Sequence, residues 1–346
     1  MAEEKAKPLT HKDVLRLIEE NGGTAKGLDL SGKHFQGGIN FSGINLQEAI
    51  LEECHLEGLQ LSHAHFEGAF MSGAHLEDIR ASGVHFENTE LVGAHLERAR
   101  LVAAHLEGAK FFDAHLEEAT LVNTFLDRTQ LSGAPLQSVK LNGAKFTTHT
   151  EIGSVDWGNY FLGEEKEGEK TGQGHFLGCA EDTYRRLKQW YQEHGIHDIA
   201  GNFFYREQEA KRKRIQNEIQ QQRKEGKYKT ILLPSLKLQG SVWTLLWAWI
   251  YRIICGYGER PRRPIILAAS VVLGSAFTYF IIGFVWEWRA FWNSLYFSAV
   301  SFTALGYGSW VVISNDWIKG IGAFESFIGV FTMALFLITF IRKMTR

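Results

Sequence analysis

The stretch LVGAHLERARLVAAHLEGAKFFDAHLEEATL, Leu91 to Leu121, places a large apolar residue at every fifth position. The same register runs from Phe41 to Phe146, where each fifth residue is Leu, Phe or Met except at Ala81. The residue two places before each large one is usually alanine. Neither an α-helix nor a flat strand has a period of five, so the pattern does not fit a run of either element.

This unit of five, with one large and one small apolar position, resembles the pentapeptide-repeat family. The resemblance implies a right-handed quadrilateral β-helix solenoid, with four pentapeptides per coil, over residues 28–150. Residues 1–27 are expected to form an N-terminal cap or helix, and Leu30 and Phe35 predict an earlier stretch shifted by one residue. With roughly 4.8 Å between stacked strands, the repeat would build a rod about 25 Å long.

Within the repeat, a histidine followed two residues later by a glutamate recurs every ten residues. With four units per coil, the histidines are predicted to stack in two ladders, with neighbouring imidazoles roughly 5 Å apart. Three interpretations stay open: a solvated or backbone-bonding face copied by duplication, a proton sensor, or a divalent-metal site of histidine and carboxylate. The histidines are His55, His65, His75, His85, His95, His105 and His115.

The composition excludes several classes of function. A net charge of −2 on 346 residues gives no global basic field, so we expect no nucleic-acid partner. Three cysteines far apart in the sequence predict a reducing, cytoplasmic setting for the polar part. The N-terminus lacks the apolar core of a signal peptide. With no nucleophile–base pairing and no Walker loop, we expect neither an enzyme nor a cofactor.

Residues 151–240 are predicted to be a helical cytoplasmic connector. Tyr184, Leu187 and Trp190 have helical spacing, and Gly195 separates them from a second helix. That second helix becomes polar and basic, which is typical of a solvated helix. Contact with anionic lipid headgroups is the alternative.

Residues 241–258 predict a tryptophan-rich interfacial helix. Its apolar part, Val242 to Cys255, is shorter than the roughly 20 residues of a membrane span. Burial of this helix inside the protein is the alternative. A charged segment containing proline follows the first GYG, Gly256 to Gly258, so this GYG predicts a turn rather than a pore loop.

Two membrane spans are predicted, at about 264–286 and 318–341. Arg262 and Arg263 precede the first span, and Arg342 and Lys343 follow the second. Under the positive-inside rule both termini then lie in the cytoplasm. We therefore expect a multi-pass protein in the lipid bilayer of the cell's inner membrane.

Between the spans lies SLYFSAVSFTALGYG, Ser294 to Gly308, which predicts a pore helix at about 291–302 and a filter at 303–308. This order over residues 264–346 resembles the two-transmembrane potassium-channel pore domain, in which a re-entrant pore loop joins two α-helical spans. The resemblance implies a homotetramer in which backbone carbonyls of the filter replace the hydration shell of K⁺. The filter residues would be Thr303, Ala304, Leu305, Gly306, Tyr307 and Gly308.

The sequence departs from the family's TVGYG-Asp pattern at two positions, because Ala304 replaces the threonine and Ser309 the aspartate. A weakly selective cation channel is therefore an alternative to a potassium-selective one. A membrane-anchored interaction scaffold is a second alternative, although a plain anchor needs no filter.

The second span contains two further candidates. Gly329 is a candidate gating hinge, and Glu325 is a functional candidate because a carboxylate within a membrane span is costly. The solenoid is expected to regulate gating in response to an unknown ligand.

Overall fold

The computed structural model of the chain describes residues 8–224, 236–260, 262–282, 288–304 and 316–344. The chain divides into two compact units, Met1–Tyr228 and Lys229–Arg346. The first contains the repeats and the connector helices. The second contains the apolar helices.

The repeats form a coil whose turns are joined by parallel β-bridges. Each bridge joins two residues that are 20 positions apart, from Asn40 with Gln60 to Phe125 with Lys145. Four pentapeptides therefore make one coil. The spacing becomes 21 at both ends, as in Asp29 with Ile50 and Gln130 with Glu151. The one-residue shift predicted around Leu30 thus follows from a coil with one extra residue. The last bridge ends at Asp156, beyond the predicted limit at residue 150.

The interior of the coil is filled by the large residues of the repeat. Leu56, Leu76 and Leu96, which follow one another at intervals of 20, are no more than 1% exposed. The small residues beside them are also buried, and Thr89 donates its hydroxyl to the Phe66 carbonyl of the preceding coil at 2.7 Å. Large and small apolar positions therefore alternate because stacked coils leave room for only one large side chain per pentapeptide.

Both ends of the coil are covered. At the N-terminal end, Leu9 pairs with Phe35, and helix α1, His11–Glu20, buries Val14. Thr10 and Asp13 form a capping box, in which each side chain hydrogen-bonds the backbone N–H of the other residue at the start of the helix. A covered end blocks edge-to-edge pairing between chains.

At the C-terminal end, the buried carboxylate of Glu164 takes the place of the missing next coil. In earlier coils the Leu121 N–H donates to the Lys140 carbonyl, whereas Leu141 N–H and Asn142 N–H both donate to Glu164 Oε1, at 2.5 and 2.6 Å. Burial raises the pKa of the Glu164 carboxyl above its usual value, and these hydrogen bonds oppose the rise. Glu164 lies in the first turn of helix α2, Gly163–Thr171, a helix that was not predicted from the sequence.

Helices α3, Gly174–Glu193, and α4, His197–Lys224, form the predicted hairpin around Gly195. Tyr191 of α3 fixes it to the coil, accepting from Trp157 Nε1 at 2.6 Å and donating to the Ile152 carbonyl at 2.5 Å. The basic part of α4 was expected to be solvated or to contact lipid. Lys211 is exposed, as expected for a solvated segment, whereas Lys213 and Arg214 also pair with the buried carboxylates of Glu165 and Glu181 in the same unit.

Most of the described residues of the second unit are helical. Helix α5 covers Leu236–Cys255 and ends in a single 3-10 turn at Gly256–Gly258, where the first GYG lies. Helices α6, Arg262–Ile282, and α8, Asp316–Met344, are the two that are long and apolar enough to cross a membrane, over Arg262–Ile281 and Gly320–Ile341. Helix α7, Trp288–Phe302, lies between them in the sequence.

Candidate functional site

Helix α7 is too short to cross a membrane and packs against both apolar helices. Its 15 residues extend about 22 Å, compared with the roughly 30 Å of a hydrocarbon core. Its last residue, Phe302, meets Gly329, which lies near the middle of α8. A Cβ on Gly329 would overlap the Phe302 carbonyl oxygen, so only glycine fits. Helix α7 thus ends halfway along α8.

A buried polar cluster ties the three helices together. Glu325 of α8 is 2% exposed and accepts a hydrogen bond from Tyr279 Oη of α6 at 2.7 Å. Ser298 of α7 contacts the other carboxylate oxygen of Glu325, and its hydroxyl also lies 2.8 Å from the Val272 carbonyl of α6. A glutamate within an apolar helix therefore has a structural partner on each neighbouring helix.

The Ser298 hydroxyl carries a single proton but lies within hydrogen-bonding distance of two oxygens. If it donates to Val272, its contact with Glu325 is a hydrogen bond only when the glutamate carries a proton. If it donates to Glu325, the Val272 contact is not a second hydrogen bond from that proton. Only with a protonated Glu325 can Ser298 make hydrogen bonds to α6 and α8 at the same time.

The end of α7 leads directly into the predicted filter. Thr303 Oγ1 donates to the Ala299 carbonyl at 2.8 Å and so covers part of the helix end. Ala304 has a φ of 54°, in the left-handed region, and its N–H donates to the Ser301 carbonyl at 3.0 Å. L-residues rarely adopt this region, and a β-branched residue there would be strained. Leu305, Gly306, Tyr307 and Gly308 lie outside the described residues.

The predicted histidine ladders are present as two rows of stacked imidazoles. The first row is His55, His75, His95 and His115, with ring centroids 4.5 to 4.9 Å apart. The second row is His65, His85 and His105, with centroids 4.6 and 4.7 Å apart, and Phe125 stacks on its end. The rings within each row are within 7° of parallel.

Each histidine of the rows faces the glutamate two residues later. The separation between Nδ1 and the nearer carboxylate oxygen is 2.9 Å at His55 and His65 and reaches 3.7 Å at His115. In six of these glutamates the second oxygen is buried with no hydrogen-bonding partner among the described residues. The six are Glu67, Glu77, Glu87, Glu97, Glu107 and Glu117. Burial acts to raise the pKa of Glu67, but hydrogen bonding with His65 and the backbone lowers it overall.

Three residues of these sites were not predicted from the sequence. His34 stacks on His55 with ring centroids 4.0 Å apart, but the 21-residue step between them takes it out of the ten-residue pattern. Continuing the shifted register of Phe35 would have found it. Tyr279 and Ser298 are unremarkable in an apolar sequence, and only the packing of three helices brings them to Glu325.

Comparisons with known proteins agree with this division of the chain. The pentapeptide-repeat family matches eight copies, over residues 39–78, 82–117 and 109–147, and the ion-channel family matches residues 266–346. Neither is a family of enzymes. No curated protein matches the chain.

Among solved structures, the pentapeptide repeat protein HetL of the cyanobacterium Nostoc sp. strain PCC 7120 is 23% identical, over 40% of this chain and 70% of its own, with a TM-score of 0.21. The pentapeptide repeat protein Rfr23 of the cyanobacterium Cyanothece 51142 is 19% identical, over 42% of this chain and 99% of its own, with a TM-score of 0.23. The plasmid-mediated fluoroquinolone resistance protein QnrB1 is 20% identical, over 38% and 71%, with a TM-score of 0.18. The fold assignment rests on the bridges and the repeat match, and together with the two apolar helices these show that the chain joins pentapeptide repeats in its N-terminal region to an ion-channel domain at residues 266–346.

Proposed function

We propose that the chain is one subunit of a homotetrameric cation channel whose permeant ion is potassium. The observation that carries this proposal is the position of α7, a short helix that ends against Gly329 halfway along a membrane-length helix. A helix that only anchored a domain would need no such half-length neighbour. The ALGYG stretch begins two residues after α7 ends.

In this proposal the chain enters the membrane from one side, turns back at the end of α7 and leaves through the filter, as a re-entrant loop. The C-terminal end of the α7 dipole then favours a cation at mid-membrane. Backbone carbonyls from Ala304, Leu305, Gly306 and Tyr307 replace the water around the ion. Four chains are required, because each contributes one quarter of the ring of carbonyls.

The polar cluster supports this arrangement because it holds α7 at a fixed depth. Glu325 and Ser298 lie about one turn from the contact between Gly329 and Phe302, so the helix is held both along its side and at its end. Gly329 remains the proposed gating hinge. Its close contact with Phe302 means that bending of α8 there would move the end of the pore helix.

For the rest of the chain we propose a right-handed, four-sided coil in the cytoplasm, both termini on the cytoplasmic side, and the inner membrane as location. The solenoid regulates opening in response to a ligand. Helix α5 exposes Trp243, Trp247 and Trp249, which supports its placement at the membrane interface. Deleting residues 1–150 should change the open probability, and an unchanged open probability under every stimulus would contradict the regulatory role.

Reconstitution of the full chain into liposomes tests the proposed function. An imposed K⁺ gradient should drive flux that a Na⁺ gradient does not. Gly306→Ala should abolish the K⁺ flux, because the filter backbone needs conformations that alanine resists. Gly274→Ala is the matched control, since a Cβ at Gly274 would meet nothing within 4 Å. Absence of flux from the parent chain under voltage, acid and divalent ions would contradict the proposal.

A weakly selective cation channel is the second candidate, and Ser309 favours it because the carboxylate of the family pattern is missing at the outer mouth. Equal K⁺ and Na⁺ flux would support this candidate. Ser309→Asp should then raise the ratio of K⁺ to Na⁺ flux.

A further inference from the structure

The two histidine rows belong to the first unit and the predicted filter to the second, and the chemistry of the rows indicates a binding site of their own. We propose that the rows bind divalent transition-metal ions of the Zn²⁺ and Ni²⁺ type, each ion held by the Nε2 atoms of histidines on successive coils. The first row offers His55, His75, His95 and His115, and the second offers His65, His85 and His105. This proposal does not depend on the proposed channel function.

The glutamates fix which imidazole nitrogen is available. A carboxylate can only accept a hydrogen bond, so Nδ1 carries the proton in the five histidines that hydrogen-bond their glutamates, which follow at ten-residue steps from His55 to His95. The lone pair of the neutral ring then lies on Nε2. Metal-ligating histidines typically donate their other N–H to a carboxylate in this way, which sets the tautomer and the ring orientation. The glutamates therefore set in advance the tautomer that metal ligation by Nε2 requires.

The spacing along a row is close to that needed by a shared ion. Two nitrogens bound tetrahedrally at about 2.1 Å from Zn²⁺ lie roughly 3.4 Å apart. The parallel rings have centroids 4.5 to 4.9 Å apart, so a tilt of two partly exposed rings toward each other closes the gap. Rotation about χ2 of histidine is soft and allows this tilt without moving the backbone.

The glutamates also favour a cation electrostatically. They follow the same 20-residue spacing as the histidines, so each row of imidazoles has a row of carboxylates beside it. Six of these carboxylates have a buried oxygen with no hydrogen-bonding partner in the described part of the chain. A divalent ion on the adjacent imidazoles would offset the repulsion between stacked negative charges.

The donor set predicts which ions bind and how many. Imidazole nitrogens suit Zn²⁺, Cu²⁺, Ni²⁺ and Co²⁺, whereas Mg²⁺ and Ca²⁺ prefer oxygen ligands. Each Nε2 has one lone pair, so a histidine serves one ion only. Pairs of successive histidines thus accommodate at most two ions in the first row and one in the second.

The test is equilibrium dialysis of the full chain in detergent against Ni²⁺, Zn²⁺ or Mg²⁺, with the bound metal counted by mass spectrometry. Substituting the four histidines of the first row by asparagine should remove most of the bound Ni²⁺ and Zn²⁺, and substituting the three of the second row should remove the rest. The matched control is a variant with His149→Asn, His175→Asn and His197→Asn, histidines outside the rows. It should bind as much metal as the parent chain.

A double variant at two glutamates separates the loss of metal ligands from misfolding. Glu77→Gln with Glu97→Gln leaves every histidine in place, so the number of bound ions should stay the same while affinity falls about 10- to 100-fold. Unchanged thermal melting of these variants without metal would confirm that the coil is intact. Equal Ni²⁺ binding by the parent and both row variants would overturn the proposal, as would Mg²⁺ binding as tight as Ni²⁺.

Discussion

The solenoid and the second unit, Lys229–Arg346, bury opposite kinds of side chain. We call the second unit the pore unit, because it contains the proposed pore. In the solenoid the large apolar residues, such as Leu96, are buried within one chain, and charged residues lie outside. In α8 the order is reversed: Glu325 and Thr332 are buried, whereas Phe327 is 73% exposed and Phe324 66%. A helix that buries its polar residues and exposes its apolar residues is typical of a membrane protein.

This difference indicates what each region needs in order to be stable. The solenoid completes its core within one chain and covers both ends of its coil with residues of the same unit. The pore unit completes its polar cluster within the chain, and in the proposed tetramer its exposed apolar surface would contact lipid and the other subunits. Substitutions should therefore separate the two regions by the property they affect.

The largest effect is expected from the solenoid core. Leu96→Ala removes a fully buried side chain from a stack of coils, and should lower the free energy of unfolding by about 2–5 kcal/mol. Chemical denaturation followed by circular dichroism would measure it. Leu15→Ala, at an exposed position of α1, is the matched control and should change little. Equal losses for the two variants would contradict a core along the coil axis.

In the pore unit, substitution of Gly329 should reduce ion flux and leave the stability of the solenoid unchanged. Gly329→Ala forces a Cβ onto the Phe302 carbonyl, and overpacking of this kind costs about 1–3 kcal/mol or more. We expect loss of ion flux in liposomes while the solenoid melts normally. Gly320→Ala on the same helix, where a Cβ would meet nothing within 4 Å, should retain flux. Normal flux from Gly329→Ala would show that α7 does not end there.

Two buried carboxylates, one in each region, sharpen the comparison. Glu164→Ala leaves the N–H groups of Leu141 and Asn142 without an acceptor, at a cost of about 1–3 kcal/mol for a buried unsatisfied group. Glu164→Gln keeps an oxygen acceptor and should lose less. The unfolding free energies of the two variants provide the measurement, and a glutamine variant as unstable as the alanine one would contradict the capping role.

Glu325→Ala should leave Tyr279 and Ser298 without their common partner, again at about 1–3 kcal/mol. Because this cluster holds α7, we expect reduced flux and a less stable oligomer rather than an unfolded solenoid. Glu325→Gln retains a polar group of the same shape and should be milder. The oligomer fraction after heating in detergent distinguishes the two variants. An alanine variant with unchanged flux and an unchanged oligomer fraction would contradict the role of the cluster in holding α7.

The smallest effect is expected at the solvent-facing pair of Asp78 and Arg98, on successive coils. The Arg98 guanidinium holds the pKa of Asp78 below its ordinary value through hydrogen bonds of 2.9 and 2.6 Å. The folded state therefore gains stability above the unfolded pKa and loses it as pH falls through the folded pKa. Because both groups are exposed, solvent screening keeps this gain in stability small. Asp78→Asn should remove this part of the acid sensitivity of melting, and an unchanged pH profile would contradict it.

Much of the fold was predictable because the same five-residue pattern recurs along the whole repeat region. The five-residue period predicts the core positions from Phe41 to Phe146, and the structure buries the leucines and alanines of that series. The spans were predictable from their length and lack of charge, and α6 and α8 fall close to the predicted limits. Helix α2 was not, because its sequence, GEEKEGEKT, carries no apolar period of its own.

The sites were less predictable, because they depend on contacts between segments distant in the sequence. The stacking of His55 with His75 follows from a 20-residue coil, whereas the extension to His34 depends on one inserted residue. Glu325 was identified by its charge within a span, but its partners Tyr279 and Ser298 come from two other helices. The buried pairing of Lys213 with Glu165 was likewise hidden in a segment that reads as solvated.

The central claim is that the solenoid is complete in one chain and the pore unit only in four. The mass of the purified full-length protein in detergent, by native mass spectrometry or light scattering, tests it most directly. The account predicts the mass of four chains, and the mass of a single chain after removal of residues 229–346. A full-length protein that stays monomeric under conditions that preserve its helices would contradict the account and favour a membrane-anchored scaffold.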